Sequence, residues 1–157
     1  MPMKKTEIRN HVLEKGQFIT SDELITVFGK GPLRNLECWC LDSRYRVIDL
    51  PTWKDVLAWS AIDKYEYKDD VRDCDNFAMA LSGRIPLTFR LNTIGMVIDF
   101  SGRHAYNAII TYAEDYTTLD DLIIGVIEPQ TDGFVMIGDQ LSTHEAYTAE
   151  DGIVLWA

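Results

Sequence analysis

Three side chains far apart in the chain have the types that nucleophilic acyl transfer needs: the thiol of Cys74, the imidazole of His104 and the carboxylate of Glu128. Such chemistry requires a nucleophile, a base within hydrogen-bond reach and a third group that orients the base. Cys74 lies in DVRDCDNFAMAL (70–81), at the start of a predicted helix. His104 opens a strand directly after the turn signal Ser101-Gly102, and Glu128 ends a strand just before Pro129-Gln130. In a domain of helices on a sheet, such termini can converge on one edge.

Simple electrostatics opposes a reactive thiol here, because Asp73 and Asp75 flank it. Two features offset them. The first turn of a helix has unpaired N–H groups and the positive end of the macrodipole, both of which favour thiolate. The same N–H groups can form part of an oxyanion hole. A bound cation is the second. Asp69, Asp70, Asp73 and Asp75 place carboxylates within residues 69–75. Calcium, which takes about six to eight oxygen ligands, would bring positive charge beside Cys74, although the spacing is not that of an EF-hand. Plainer readings stand beside these. Cys74 packs as a small hydrophobe, Asp69 and Asp70 are solvated, Asp73 only caps a helix, His104 closes a hairpin, and Glu128 is an exposed strand-end charge. Asn107, three residues past His104, faces the other side of its strand and reads as structural. Gln130 either reaches the site or holds a turn. His11 and His144 read as surface residues.

The elements that must position these groups are legible in patches. Thr20-Ser21-Asp22-Glu23 before Leu24, Ile25, Val27 and Phe28 predicts a capped helix ending at Gly29. Residues 36–41 and 45–50 alternate around Asp42-Ser43 as in a hairpin. Pro51-Thr52-Trp53 opens a helix with Val56, Leu57, Ser60 and Ala61 on one face. Phe77, Ala78 and Leu81 give the next helix, begun at Asp73 or Cys74 with Asp73 as N-cap and stopping before Gly83. Strands follow at 93–100, 104–112, 122–128 and 134–137, with turns at Ser101-Gly102 and Thr131-Asp132-Gly133 and an acidic loop over 113–121. The tail 152–156 is placed at the sheet edge. Helices first and antiparallel strands afterwards predict an α+β domain, with N-terminal helices packed on an antiparallel sheet. Trp39, Trp53, Trp59 and Trp156 read as core or interface anchors.

The 157 residues suffice for one domain with a real core. A net charge of −10, from 25 acidic and 15 basic side chains, argues against nucleic acid and anionic membranes as partners. No apolar run reaches the roughly 18 residues that span a bilayer. MPMKKTEIRN lacks the apolar core of a signal peptide. The odd cysteine count, with Cys38 and Cys40 too close for an easy disulfide, points to a reducing compartment and a cytoplasmic protein. A lone C-x-C pair is a poor zinc site.

Taken as an ordered set, DCDNFA (73–78), GRHAYN (102–107) and IEPQT (127–131) resemble the papain-like cysteine peptidase domain at the C-terminus of certain fungal fruit-body lectins, and its small phage and bacterial relatives. The likeness spans roughly Trp53 to Gly138 and rests on three short motifs. It implies a papain-like core over 51–157, with 1–50 as an N-terminal helix and hairpin region of the same single domain. It also implies Cys74 as nucleophile, His104 as general base and acid, Glu128 orienting the imidazole, and calcium dependence through Asp73 and Asp75. Papain-like enzymes supply an oxyanion-hole glutamine shortly before the cysteine, whereas YEYKDDVRD (65–73) has none. No lectin domain is present, so sugar targeting is not expected.

The expected function is a cysteine hydrolase, a peptidase or amidase acting through a thioester on a peptide or amide substrate, with an acyl transferase or peptidoglycan amidase as its chemical neighbour. A homodimer is compatible with this. The competing reading is a catalytically silent papain-like binding module, bacterial or phage, working in a bacterial or virus-infected host cell through protein interaction.

Overall fold

The computed structural model describes residues 3–131, 133–137 and 147–157; Asp132 and His144 fall outside them. Among the described residues, no helix is long and apolar enough to cross a membrane.

The centre of the fold is an antiparallel pair, β4 (Ile94–Asp99) and β5 (His104–Tyr112), in register from Asp99 opposite His104 to Ile94 opposite Ile109. β6 (Ile123–Glu128) runs antiparallel along β5, and β7 (Gly133–Ile137) follows β6. Around them the N-terminal third is woven into the same sheet. β1 (Gln17–Thr20) pairs antiparallel with β3 (Arg44–Asp49), β3 runs parallel to the end of β5, and β2 (Glu37–Cys40) runs parallel to β8 (Gly152–Trp156). Among the described residues the result is α+β with a mixed eight-stranded sheet, not an antiparallel one.

Two predicted pairings change. Residues 36–50 do form two strands, but β2 and β3 do not pair with each other. Alternation specifies which face a strand buries and says nothing about its neighbour. The neighbour of β2 is the tail. β8 therefore lies inside the sheet, between β4 and β2, rather than at its edge. Its first residue, Gly152, sits at φ 151°, where a Cβ would collide with the Ile98 carbonyl oxygen. Gly152→Ala is expected to lower stability by about 3 kcal/mol. An unchanged urea midpoint would refute that placement.

Helices cover both faces. α1 (Lys5–Lys15), α3 (Leu50–Ser60) and α4 (Cys74–Phe89) share one core, in which Ile8, Trp53, Leu57, Leu81 and Ile109 are buried. α2 (Ser21–Gly29) packs Leu24, Val27 and Phe28 on the other face against Ala108, Ile110 and Val126. The α2 cap is the one its sequence predicts: Thr20 Oγ1 accepts from Glu23 N–H at 3.1 Å, and Glu23 accepts from Thr20 N–H at 3.1 Å. α1 and β1 have no apolar periodicity; Ile8 and Val12 are the buried positions of KTEIRNHVLEK. His11 is half-buried on α1. Trp53 and Trp156 are core, and Trp59 stands edge-on to Phe89 at 5.1 Å, but Trp39 is 50% exposed.

α4 does not stop before Gly83. Its buried face runs on in phase from Phe77, Ala78 and Leu81 to Ile85 and Phe89, so packing on the sheet outweighs the helix-breaking tendency of Gly83 and Pro86. Gly83 faces open solvent. The helix ends at Arg90, in the left-handed conformation at φ 57°, whose N–H donates to Pro86 O at 2.9 Å.

Candidate functional site

His104 and Glu128 meet. His104 Nε2 donates to Glu128 Oε2 at 2.8 Å, and both side chains are 15% exposed. The register explains the meeting: Asn107 lies opposite Ile127, so the start of β5 and the end of β6 are adjacent. In the neutral ring, with Nε2–H facing the carboxylate, Nδ1 is the nitrogen that carries the lone pair. Burial pushes the Glu128 carboxyl up, but hydrogen bonds from His104, Tyr147 and the Gln130 N–H, together with the His104 charge, hold it below its ordinary value. It stays ionised at neutral pH. Gln130 acts here through its backbone, its N–H donating to Glu128 Oε1 at 3.3 Å.

Two residues without an assigned role in the sequence build the rest of this corner. Tyr147 donates its hydroxyl to Glu128 Oε2 at 2.6 Å and sets its ring edge-on to His104, at 5.3 Å between centroids. Burial, then the Glu128 hydrogen bond and charge, raise the Tyr147 phenol, so it remains a neutral donor. Asp99, 1% exposed, accepts from Ser101 Oγ (2.6 Å), Gly102 N–H (2.8 Å), Tyr106 Oη (3.1 Å) and Ala149 N–H (2.9 Å). It thereby shapes the β4–β5 turn that ends at His104 and ties the 149 segment to that turn. The order Asp-x-Ser-Gly over 99–102 is a local turn signature that marks Asp99 from sequence. Tyr147 has no comparable local signal, because its partners are distant in sequence.

Cys74 arrives from the other layer. It is the first residue of α4 and half-buried. It lines a cleft of about 300 Å³ with Asp75, Asp99, Phe100, Arg103 and His104. Side chains alternate faces along a strand. His104 shares the face of Tyr106 and Ala108, which belong to the α2 side, whereas α4 packs on the Ile109 face. Thiol and imidazole therefore approach round the end of the sheet from opposite layers. Among the described residues, no hydrogen bond joins Cys74 to His104. Asn107 faces α4 and ties it down, donating to Ala78 O at 3.0 Å, Ser82 Oγ at 2.8 Å and Gly95 O at 3.2 Å.

Asp73 occupies the N-cap position, but its side chain makes no cap hydrogen bond to the helix backbone. Instead Asn76 Oδ1 accepts from Asp73 N–H at 3.1 Å and Asp75 Oδ1 accepts from Asn76 N–H at 2.9 Å. The Asp73 carboxyl is raised above its usual value, chiefly by a proton shared with Asp75, with burial and the Asp75 charge adding to this. The two carboxylates are thus close neighbours. Among the described residues, no group of three or more His, Cys, Asp or Glu is placed to hold a metal.

No family model matches the chain, and no curated protein matches it. Solved structures do share its fold. A PSL1a–E64 complex superposes with a TM-score of 0.60 at 16% identity, over 88% of this chain and 51% of that one. The lectin of Polyporus squamosus, bound to the human-type influenza-binding epitope Neu5Acα2-6Galβ1-4GlcNAc, superposes with a TM-score of 0.59 at 15% identity, over 88% of this chain and 49% of that one. The chain therefore shares its α+β fold with a fungal lectin and spans about half the length of these structures.

Proposed function

We propose that this protein is a cysteine hydrolase that cleaves an amide through a thioester, with Cys74 as nucleophile, His104 as base and acid, and Glu128 orienting the ring. The observation that carries the reading is the 2.8 Å His104–Glu128 contact, which leaves Nδ1 as the basic nitrogen of a residue lining the Cys74 cleft. In the first half-reaction His104 Nδ1 takes the thiol proton, the sulfur bonds to the amide carbonyl carbon, and the C–N bond breaks as His104 returns that proton to the leaving nitrogen. Water then attacks the thioester, giving its proton to His104; the acid departs and the thiol is restored. The Cys74 N–H, at the first helical position, has no acceptor within the helix and is the proposed oxyanion donor. The thiol must close on the imidazole when substrate binds, since catalytic hydrogen bonds are often long before that point.

E64 is an epoxide that alkylates thiolates, so it serves as a probe here. Mass spectrometry is expected to find one E64 adduct, on Cys74, and none in Cys74→Ala. Absence of the adduct in the unaltered protein sinks the hydrolase reading.

The second reading is a binding module without turnover. It is supported by the missing Cys74–His104 bond and by the fold shared with a lectin solved with a sialylated trisaccharide. Saturable calorimetric binding of Neu5Acα2-6Galβ1-4GlcNAc, together with an unreactive Cys74, would establish it over the first.

Calcium at Asp73 and Asp75 is part of the proposal. These carboxylates supply only some of the roughly six to eight oxygens calcium takes, so backbone carbonyls and water would complete the shell. No step above runs through the ion. Calcium at about 100 times its Kd stabilises a folded-state site by about 2.7 kcal/mol. A rise in Tm of several degrees is therefore expected at millimolar calcium, reversed by chelator and absent in Asp73→Asn. An unchanged Tm dismisses the site.

A further inference from the structure

α4 has a second flank. Asn76, Ala80 and Arg84 recur at helical spacing on the side of the helix away from the Cys74 cleft. With Ile62, Tyr65 and Phe77 they enclose a pocket of about 440 Å³, within the range of small-ligand sites. It shares no residue with the cleft of Cys74 and His104. Its walls are apolar and aromatic. Ile62 and Phe77 are buried, and Phe77 is backed by Tyr67 in a stacked pair at 6.4 Å.

Two guanidiniums stand on this otherwise apolar hollow. Arg84 lies over the Trp59 ring, 4.8 Å from its centroid, and Arg72 lies over Tyr65 at 5.8 Å. In a chain with 25 acidic and 15 basic side chains, surface arginines have ample choice of carboxylate partners. Among the described residues neither Arg72 nor Arg84 has one within 4.0 Å. Arg72 Nη1 donates at 3.2 Å to the backbone carbonyl of Glu66, not to its side chain. Both guanidiniums are held in place by rings and keep donors to spare. The guanidinium fork matches a carboxylate, and aromatic stacking leaves its edge available. Asp69, Asp70 and Asp73 adjoin Arg72 in the chain, yet among the described residues none of them lies within 4.0 Å of either guanidinium.

We infer that the pocket between Tyr65, Phe77 and the outer flank of α4 binds an apolar monocarboxylate, its body against Ile62 and Phe77 and its carboxylate on Arg72 and Arg84. The ligand class follows from the pocket alone and is independent of any nucleophilic role for Cys74.

The test is a titration of the full chain with 4-phenylbutyrate, followed by backbone amide resonances, with the uncharged 4-phenylbutyramide run in parallel. Saturable shifts are expected at Asn76, Phe77 and Ala80, with the amide binding at least tenfold more weakly. Arg72→Gln and Arg84→Gln should each raise Kd at least fivefold. Arg84→Lys should fall between wild type and Arg84→Gln, because it keeps the charge and loses the planar fork. Ala80→Phe, on the exposed side of α4, should fill the hollow and abolish the shifts with both arginines present. Equal binding of acid and amide overturns the inference. So do shifts centred elsewhere, no shifts at all, or binding that survives Ala80→Phe.

Discussion

At pH 7, iodoacetamide is expected to modify Cys74 at least about 10² times faster than Cys38 or Cys40, because reactivity follows the thiolate fraction and access. The two comparators are suppressed by their surroundings. Burial, then the neighbouring Cys40, pushes the Cys38 thiol up to about 12, and burial also raises Cys40. A thiol at about 12 presents roughly one thiolate in 10⁵ at pH 7. Cys74 stands at a helix N-terminus on an open cleft shared with His104. The fast phase should vanish in Cys74→Ala with little change in Tm. His104→Ala should slow it about tenfold, because the base that takes the thiol proton is removed. A Cys74 rate equal to those of the other two thiols means that neither the helix end nor the imidazole activates it, and the hydrolase reading falls.

Asp99→Ala is expected to be the most damaging single substitution near the site, lowering stability by about 4 kcal/mol. The change orphans the buried donors Tyr106 Oη and Ala149 N–H, and removes the acceptor of the half-buried Gly102 N–H and the exposed Ser101 Oγ. Each buried donor left without a partner costs about 1–3 kcal/mol. Domains of this size are stable by about 5–15 kcal/mol. Asp99→Asn keeps one acceptor oxygen and turns an NH₂ towards the remaining donors, so about half the loss is expected. Urea unfolding midpoints at constant m-value check both. A loss below about 1 kcal/mol for Asp99→Ala would show that water or local rearrangement satisfies those donors, and that Asp99 does not shape the approach to His104.

The same residue shows where local information ends. Asp99 at the head of Asp-x-Ser-Gly is a turn residue from sequence, because its bonds to Ser101 and Gly102 are two and three positions away. Its other bonds, to Tyr106 and Ala149, exist only once β4, β5 and the approach to β8 are assembled. The α2 cap was legible for the same reason, with donor and acceptor inside one turn.

The sequence by itself determined which segments apart from β1 are strands, where α2 and α4 begin, and that Cys74, His104 and Glu128 stand at element ends. Those properties depend on neighbours within about four residues, through caps, turn residues and the alternation of apolar side chains. Tertiary structure decided the rest. It paired β2 with β8 instead of β3, carried α4 through Gly83 and Pro86 to Phe89, and set Tyr147 against the His104–Glu128 pair. It also delivered Cys74 and His104 to one cleft from opposite faces of the sheet. The physical reason is that partner choice, helix length and side-chain convergence follow from burial between segments distant in the chain, whose free energy no local window contains.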